Sequence, residues 1–109
     1  MATAYKVLGQ SAPSATTDTT LYTVPSATET VVSTIVIANR AASAGTYRVA
    51  IRPNGATLAN SHYLAFDVAI AANDSTALTL GITIDASDII TVRASSADMT
   101  FTAFGSEIS

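Results

Sequence analysis

Residues 47–52 alternate, with Tyr47, Val49 and Ile51 on one parity and Arg48, Ala50 and Arg52 on the other. A period of two predicts a strand with one buried and one wet face. Residues 31–38 are apolar on both parities around Ile35, Val36 and Ile37, as in a strand covered on both sides. Between the two runs, residues 39–45 supply turn chemistry from Asn39 to Gly45, with the glycine available for positive φ. The pattern predicts a central hairpin in an antiparallel sheet.

The rest of the chain repeats the theme. Strands are expected over residues 5–10, 19–24, 89–94 and 99–104, the second stopped by Pro25, which has no N–H to give a ladder. A further strand is expected over 62–66, continuing loosely to 70. Residues 76–84 place Leu78, Leu80, Ile82 and Ile84 on one parity, and Gly81 within them suggests a bulge or a close backbone approach. A short helical turn fits 56–61. Eight short strands with turn signals every ten residues or so predict an all-β, antiparallel β-sandwich, jelly-roll or Ig-like, in one domain over residues 1–109. The expected core is Val7, Leu21, Val24, Val32, Ile35, Ile37, Tyr47, Val49, Ile51, Leu64, Leu78, Leu80, Ile82, Ile90, Val92, Phe101 and Phe104.

Composition narrows the function classes. With no cysteine, disulfides and thiolate metal sites are excluded. Charged residues make up 12% of the chain, about half the usual share, and Ala, Thr and Ser fill the polar faces instead. Either those are ordinary Thr-lined strands or the protein spends its life packed against neighbours. The net charge is −3, and five scattered basic residues make no stripe for nucleic acid. No apolar run is long enough for a helix to cross a bilayer, and residues 1–6 lack the regions of a secretory signal. Each end is expected to pair into the sheet or to be held by a neighbouring chain.

Candidate chemistry is sparse. His62 is the only histidine, and the adjacent Ser61 would point the other way on a strand, so no nucleophile, base and orienting acid come together. No enzymatic activity and no cofactor are expected. Asp85 and Asp88 with Asp74 or Asp98 could surround a calcium ion, but the dense acidic loop of a calcium site is missing, and turn capping is the simpler role. Arg48 and Arg52 share a strand face and Arg40 sits near the hairpin top. These three are the candidate interface residues, because arginine is enriched where binding energy concentrates. A carbohydrate platform would need several of the aromatics on one exposed face.

Several stretches together resemble small virion structural proteins of tailed bacteriophages, of the marine and cyanobacterial phage type. They are residues 5–10 (YKVLGQ), 21–25 (LYTVP), 34–39 (TIVIAN), 62–67 (HYLAFD) and 104–108 (FGSEI). These are strand and turn motifs spread over most of the chain. The resemblance implies a non-enzymatic β-domain of the virion. It would be a capsid decoration or cement protein bound to the major capsid protein or other virion proteins, as a homo-oligomer with a trimer favoured. Two alternatives stand beside it: a tail, baseplate or fibre component for host attachment, and a carbohydrate-binding module. No nucleic acid or membrane partner is implied.

Overall fold

A computed structural model describes residues 2–109, and within them nine strands build two antiparallel sheets. The strands are β1 (Thr3–Ser11), β2 (Thr19–Thr23), β3 (Glu29–Asn39), β4 (Gly45–Arg52), β5 (Tyr63–Ile70), β6 (Ser75–Leu78), β7 (Ile82–Ile84), β8 (Ile89–Ala94) and β9 (Met99–Ile108). One sheet, here sheet A, runs β1-β9-β3-β6 with β7 also on β3; the other, sheet B, runs β2-β8-β4-β5. The pairs nest: β4 with β5, β3 with β6 and β7, β2 with β8, β1 with β9. That is one long antiparallel ribbon with its tip at β4–β5, rolled until β9 also meets β3 and β8 also meets β4. Of the two connectivities considered, this is the jelly roll. The two ends close it, since Ala2 and Ser109 exchange both backbone hydrogen bonds at 2.7 and 2.9 Å.

The core fills the gap between the sheets with the inward side of each strand, and in β3 the inward parity switches at the bulge between Val32 and Thr34. Val32, Ile35 and Ile37 of β3, Met99, Phe101 and Ala103 of β9, Tyr47 and Val49 of β4, and Ile90, Val92 and Ala94 of β8 are all buried. Tyr47 and Phe101 meet edge to face across the sheets, their ring centroids 6.5 Å apart.

Three expectations need correction. The predicted hairpin of residues 31–52 does not form: β3 and β4 lie in different sheets. Both edges of β3 are already taken, by β9 on one side and β6 and β7 on the other. The buried Asn39 turns the chain across the sandwich. Its amide donates to the carbonyls of Ser43 and Ala71, and its Oδ1 accepts the Ala41 N–H at 3.0 Å. Residues 76–84 are not one strand either. Gly81 takes a left-handed φ of 63° with open space around it, so the chain breaks there and both pieces return to β3. Leu80 therefore stands 53% exposed. Lastly Val7, Leu64 and Phe104 are exposed, not core, whereas Tyr22, Ile70, Ile84 and Met99 are buried.

Among the described residues, one buried side-chain group lacks a hydrogen-bond partner. Thr91 of β8 is buried, and its hydroxyl finds no hydrogen-bond partner. A buried hydroxyl without a partner loses its hydration for nothing. Thr91→Val keeps the β-branch and removes the hydroxyl, so the variant should gain about 1 kcal/mol in urea denaturation. A loss of stability would mean that the hydroxyl does have a partner.

Candidate interaction faces

The roll leaves two outer faces of opposite character. On sheet B, Arg48 and Arg52 point outward as their parity required, and register sets Arg93 of β8 directly beside Arg48. Like charges opposite one another repel, and each is offset by a carboxylate. Arg48 donates to both oxygens of Asp67 at 2.7 and 3.2 Å. Arg93 lies 3.7 Å from Asp18. The guanidinium of Arg48 holds the Asp67 carboxyl below its usual range, chiefly through that hydrogen bond. Arg52 instead closes the turn after its own strand, donating to the carbonyls of Ala56 and Gly55.

The third predicted interface residue is elsewhere. Arg40 sits at the end of the sandwich where the β3–β4 and β8–β9 connections meet, with its side chain on the Ala97 carbonyl and its N–H on the Asp98 carbonyl. Arg48 and Arg52 thus share a face and Arg40 does not.

Beside Arg48, the edge strand β5 bulges twice against β4. Asp67 takes a left-handed φ of 51° there, which a non-glycine residue adopts at some cost. Phe66 is 52% exposed. The Arg48 guanidinium lies 4.0 Å from its ring centroid, and Tyr63 meets it edge-on at 4.9 Å. This aromatic–arginine–carboxylate group was not foreseen, because a bulge shifts the parity that a sequence pattern relies on.

Sheet A is different. Residues in register share a side, and those opposite in parity to the core are Tyr5, Val7 and Gln10 of β1, Thr100, Thr102, Phe104, Ser106 and Ile108 of β9, and Thr34, Val36 and Ala38 of β3. Ala77 and Ser75 of β6 and Thr83 of β7 extend the row. Few charges border this face: Lys6 beside Tyr5, and Glu29, Asp85 and Asp88 around the corner at Ile108. Tyr5 is 85% exposed and Val7 and Phe104 are adjacent in register. Tyr5 and Phe104, with Lys6, Val31, Ser33, Gly105 and Ser106, outline a shallow depression.

A polar cluster ties the two sheets at one end. The Tyr22 hydroxyl of β2 donates to Glu107 Oε2 at 2.5 Å and accepts from the buried Thr30 hydroxyl at 2.8 Å. Lys6 reaches Glu107 Oε1 at 3.2 Å. Burial first, then the carboxylate, pushes the Tyr22 pKa up to about 12. The Glu107 carboxyl is held below its usual range, first by the Tyr22 hydroxyl and then by Lys6. Tyr22→Phe should therefore cost about 1–3 kcal/mol at pH 7. Because the Glu107 pKa is depressed on folding, its contribution is present above the ordinary carboxylate range. It fades as pH falls through the folded value. The gap between wild type and Tyr22→Phe should narrow as urea denaturation is repeated from pH 6 towards pH 3. A gap that widens in acid would contradict the assignment.

The remaining candidates serve turns. Asp88 accepts the N–H groups of Asn54 and Asp85 at 2.7 and 2.8 Å, Asp85 accepts that of Ala86, and Asp74 that of Ser75. Among the described residues, no three of His, Asp and Glu gather as a metal cage. His62 ends a short 3-10 turn, and its Nδ1 accepts the Ala59 N–H at 3.1 Å. No helix among the described residues is long and apolar enough to cross a membrane. The chain matches no known family model, no curated protein and no solved structure.

Proposed function

We propose that this chain is a non-enzymatic structural protein of a tailed-phage virion, a decoration or cement protein that reinforces the capsid through protein–protein contacts. The observation that carries the reading is the outer face of sheet A. A broad sheet face whose few charges lie at its borders, with exposed Tyr5, Val7 and Phe104, has the character of a surface that another protein covers. The whole-chain resemblance in strand and turn motifs points the same way. Jelly rolls are common in viral coats, which is support by architectural analogy alone. Particles stripped of the protein should lose integrity on heating or osmotic shock, and added protein should restore it. Stripped particles as robust as intact ones, with the protein found at the tail alone, would move the reading to a tail, baseplate or fibre component.

One observation favours a second reading, saccharide binding. Exposed Phe66, with the half-buried Tyr63 against its ring, lies beside the paired Arg48 and Asp67. An apolar ring next to fixed hydrogen-bonding groups suits a sugar's two-sided chemistry. Glycan-array binding lost in Phe66→Ala would establish it, and an array without signal would remove it.

A further inference from the structure

We infer that the hollow beside Phe66 on the outer face of sheet B is a subsite for a neutral hexopyranose, with the sugar ring on Phe66 and its hydroxymethyl group between Asp67 and Arg93. This rests on the saccharide reading above and names the class of sugar. The hollow has a volume of about 80 Å³. Its walls are Thr16 of the β1–β2 connection, Thr46 and Arg48 of β4, Asp67 of β5, and Arg93 and Ser95 at the end of β8. Pockets that enclose a whole ligand run to about 300–1,000 Å³, so this one admits a substituent of a sugar and not its ring. The ring has Phe66, which is half exposed and shares the Arg48 guanidinium with the hollow. An apolar ring covers the C–H side of a pyranose and leaves its hydroxyls to the polar walls.

The hydrogen-bonding capacity of those walls selects the occupant. Arg48 is committed to Asp67 through two hydrogen bonds, which leave further lone pairs on the carboxylate. The carboxylate nearest to Arg93 is Asp18 at 3.7 Å, beyond hydrogen-bond reach, so the Arg93 donors remain to be used. The Ser95 hydroxyl accepts the Thr46 N–H at 2.9 Å and keeps its own hydrogen. The Thr16 hydroxyl gives its hydrogen to the Ala15 carbonyl and keeps its lone pairs. Donors and acceptors thus surround one small space. A sugar hydroxyl both donates and accepts and uses both kinds. A phosphate dianion only accepts, and would meet the Asp67 carboxylate and the Thr16 oxygen with nothing to offer them. Charge agrees, because the two guanidinium groups stand against the carboxylates of Asp67 and Asp18, which leaves no excess for an anion to neutralise. Two of the walls are also strained: Thr16 has a φ of 52° and Asp67 of 51°, and for a β-branched residue that is an outlier. Such conformations gather at ligand clamps. Here the Thr16 N–H is fixed to the Ala94 carbonyl at 2.7 Å.

The test is a titration of the isotope-labelled chain with the methyl glycosides of glucose, mannose and galactose, read from backbone amide shifts. At least one of them should move the amides of Thr16, Thr46 and Phe66, with a dissociation constant on the order of 1–10 mM. Its 6-deoxy counterpart should bind about fivefold more weakly or worse for want of the hydroxyl, and inorganic phosphate should move none of the three. Arg93→Gln and Phe66→Ala should each weaken binding about tenfold, and Phe104→Ala on sheet A should leave it unchanged. The same spectra report whether each variant is folded. If Arg93→Gln does not fold, Arg93→Lys, which keeps the charge and loses the planar fork, takes its place. No response to any of the three glycosides overturns the inference, as does a 6-deoxy sugar that binds equally well, phosphate that moves the same amides, or affinity that survives the change at Arg93. Glycan-array signal that depends on Phe66 and not on Arg93 overturns the subsite and leaves the saccharide reading standing; an array without signal removes both. Reinforcement of stripped particles is scored separately and bears on the capsid reading alone.

Discussion

Phe101→Ala should lower the unfolding free energy by about 3–5 kcal/mol, in a domain whose total is roughly 5–15 kcal/mol. Phe101 has 0% exposure and sits on β9, the strand hydrogen-bonded on both edges, to β1 and to β3. Its ring meets Tyr47 of the other sheet, so truncation takes packing from both layers at once. The two sheets are held apart by the remaining core, and the cavity cannot simply collapse. Guanidinium denaturation at pH 7 checks this. A loss below 1 kcal/mol would mean that Phe101 does not bridge the layers. Phe104→Ala, three residues on and on the outer face, should cost far less.

Gly105→Ala should cost about 3 kcal/mol, for a reason that lies in the neighbouring strands. Both partners of β9 bulge at the same level: β1 between Val7 and Gly9, and β3 between Val32 and Thr34. The β3 bulge swings the Val31 carbonyl to where a side chain at position 105 would start, so a Cβ there would collide with backbone. Backbone yields only by moving a strand. The bulge also leaves the Phe104 carbonyl for the Ser33 hydroxyl, at 3.2 Å. Gly81→Ala is the informative comparison. Gly81 has a left-handed φ but open space around it, so the cost is the conformation alone, about 1–2 kcal/mol. If thermal melts rank Gly81→Ala as the worse variant, the bulge is not what requires glycine at 105.

Much of the fold was legible because period two survives wherever a strand is regular. The parity of Tyr47 and Val49 against Arg48 and Arg52 placed β4 correctly and put both arginines on one face. The exposed Phe104 shows where the pattern stopped informing. It stands opposite in parity to Phe101, so a straight β9 cannot bury both, yet size and apolarity argued for burial. Strand pairing was not legible. Period two says which side of a strand is buried and nothing about its neighbours, so β3 and β4 read as a hairpin although Asn39 sends them to different layers. The same blindness separated Arg40 from Arg48 and Arg52. The weakly charged face of sheet A was visible only as a shortage of charge in the composition; locating that shortage on the middle of one face took the register.

The nesting of the ribbon has a temporal side. The two strands that meet at its open end lie at opposite extremes of the sequence, with Thr3 in register with Ile108. On the ribosome, β1 waits without its hydrogen-bonding mate until β9, the last made of the nine strands, has emerged. Closing so long a loop also slows the search. Throughout that interval Tyr5 and Val7 ride on a bare ribbon, the state in which chains stick to one another. High expression at elevated temperature should therefore expose this protein to aggregation before folding, however stable the finished roll.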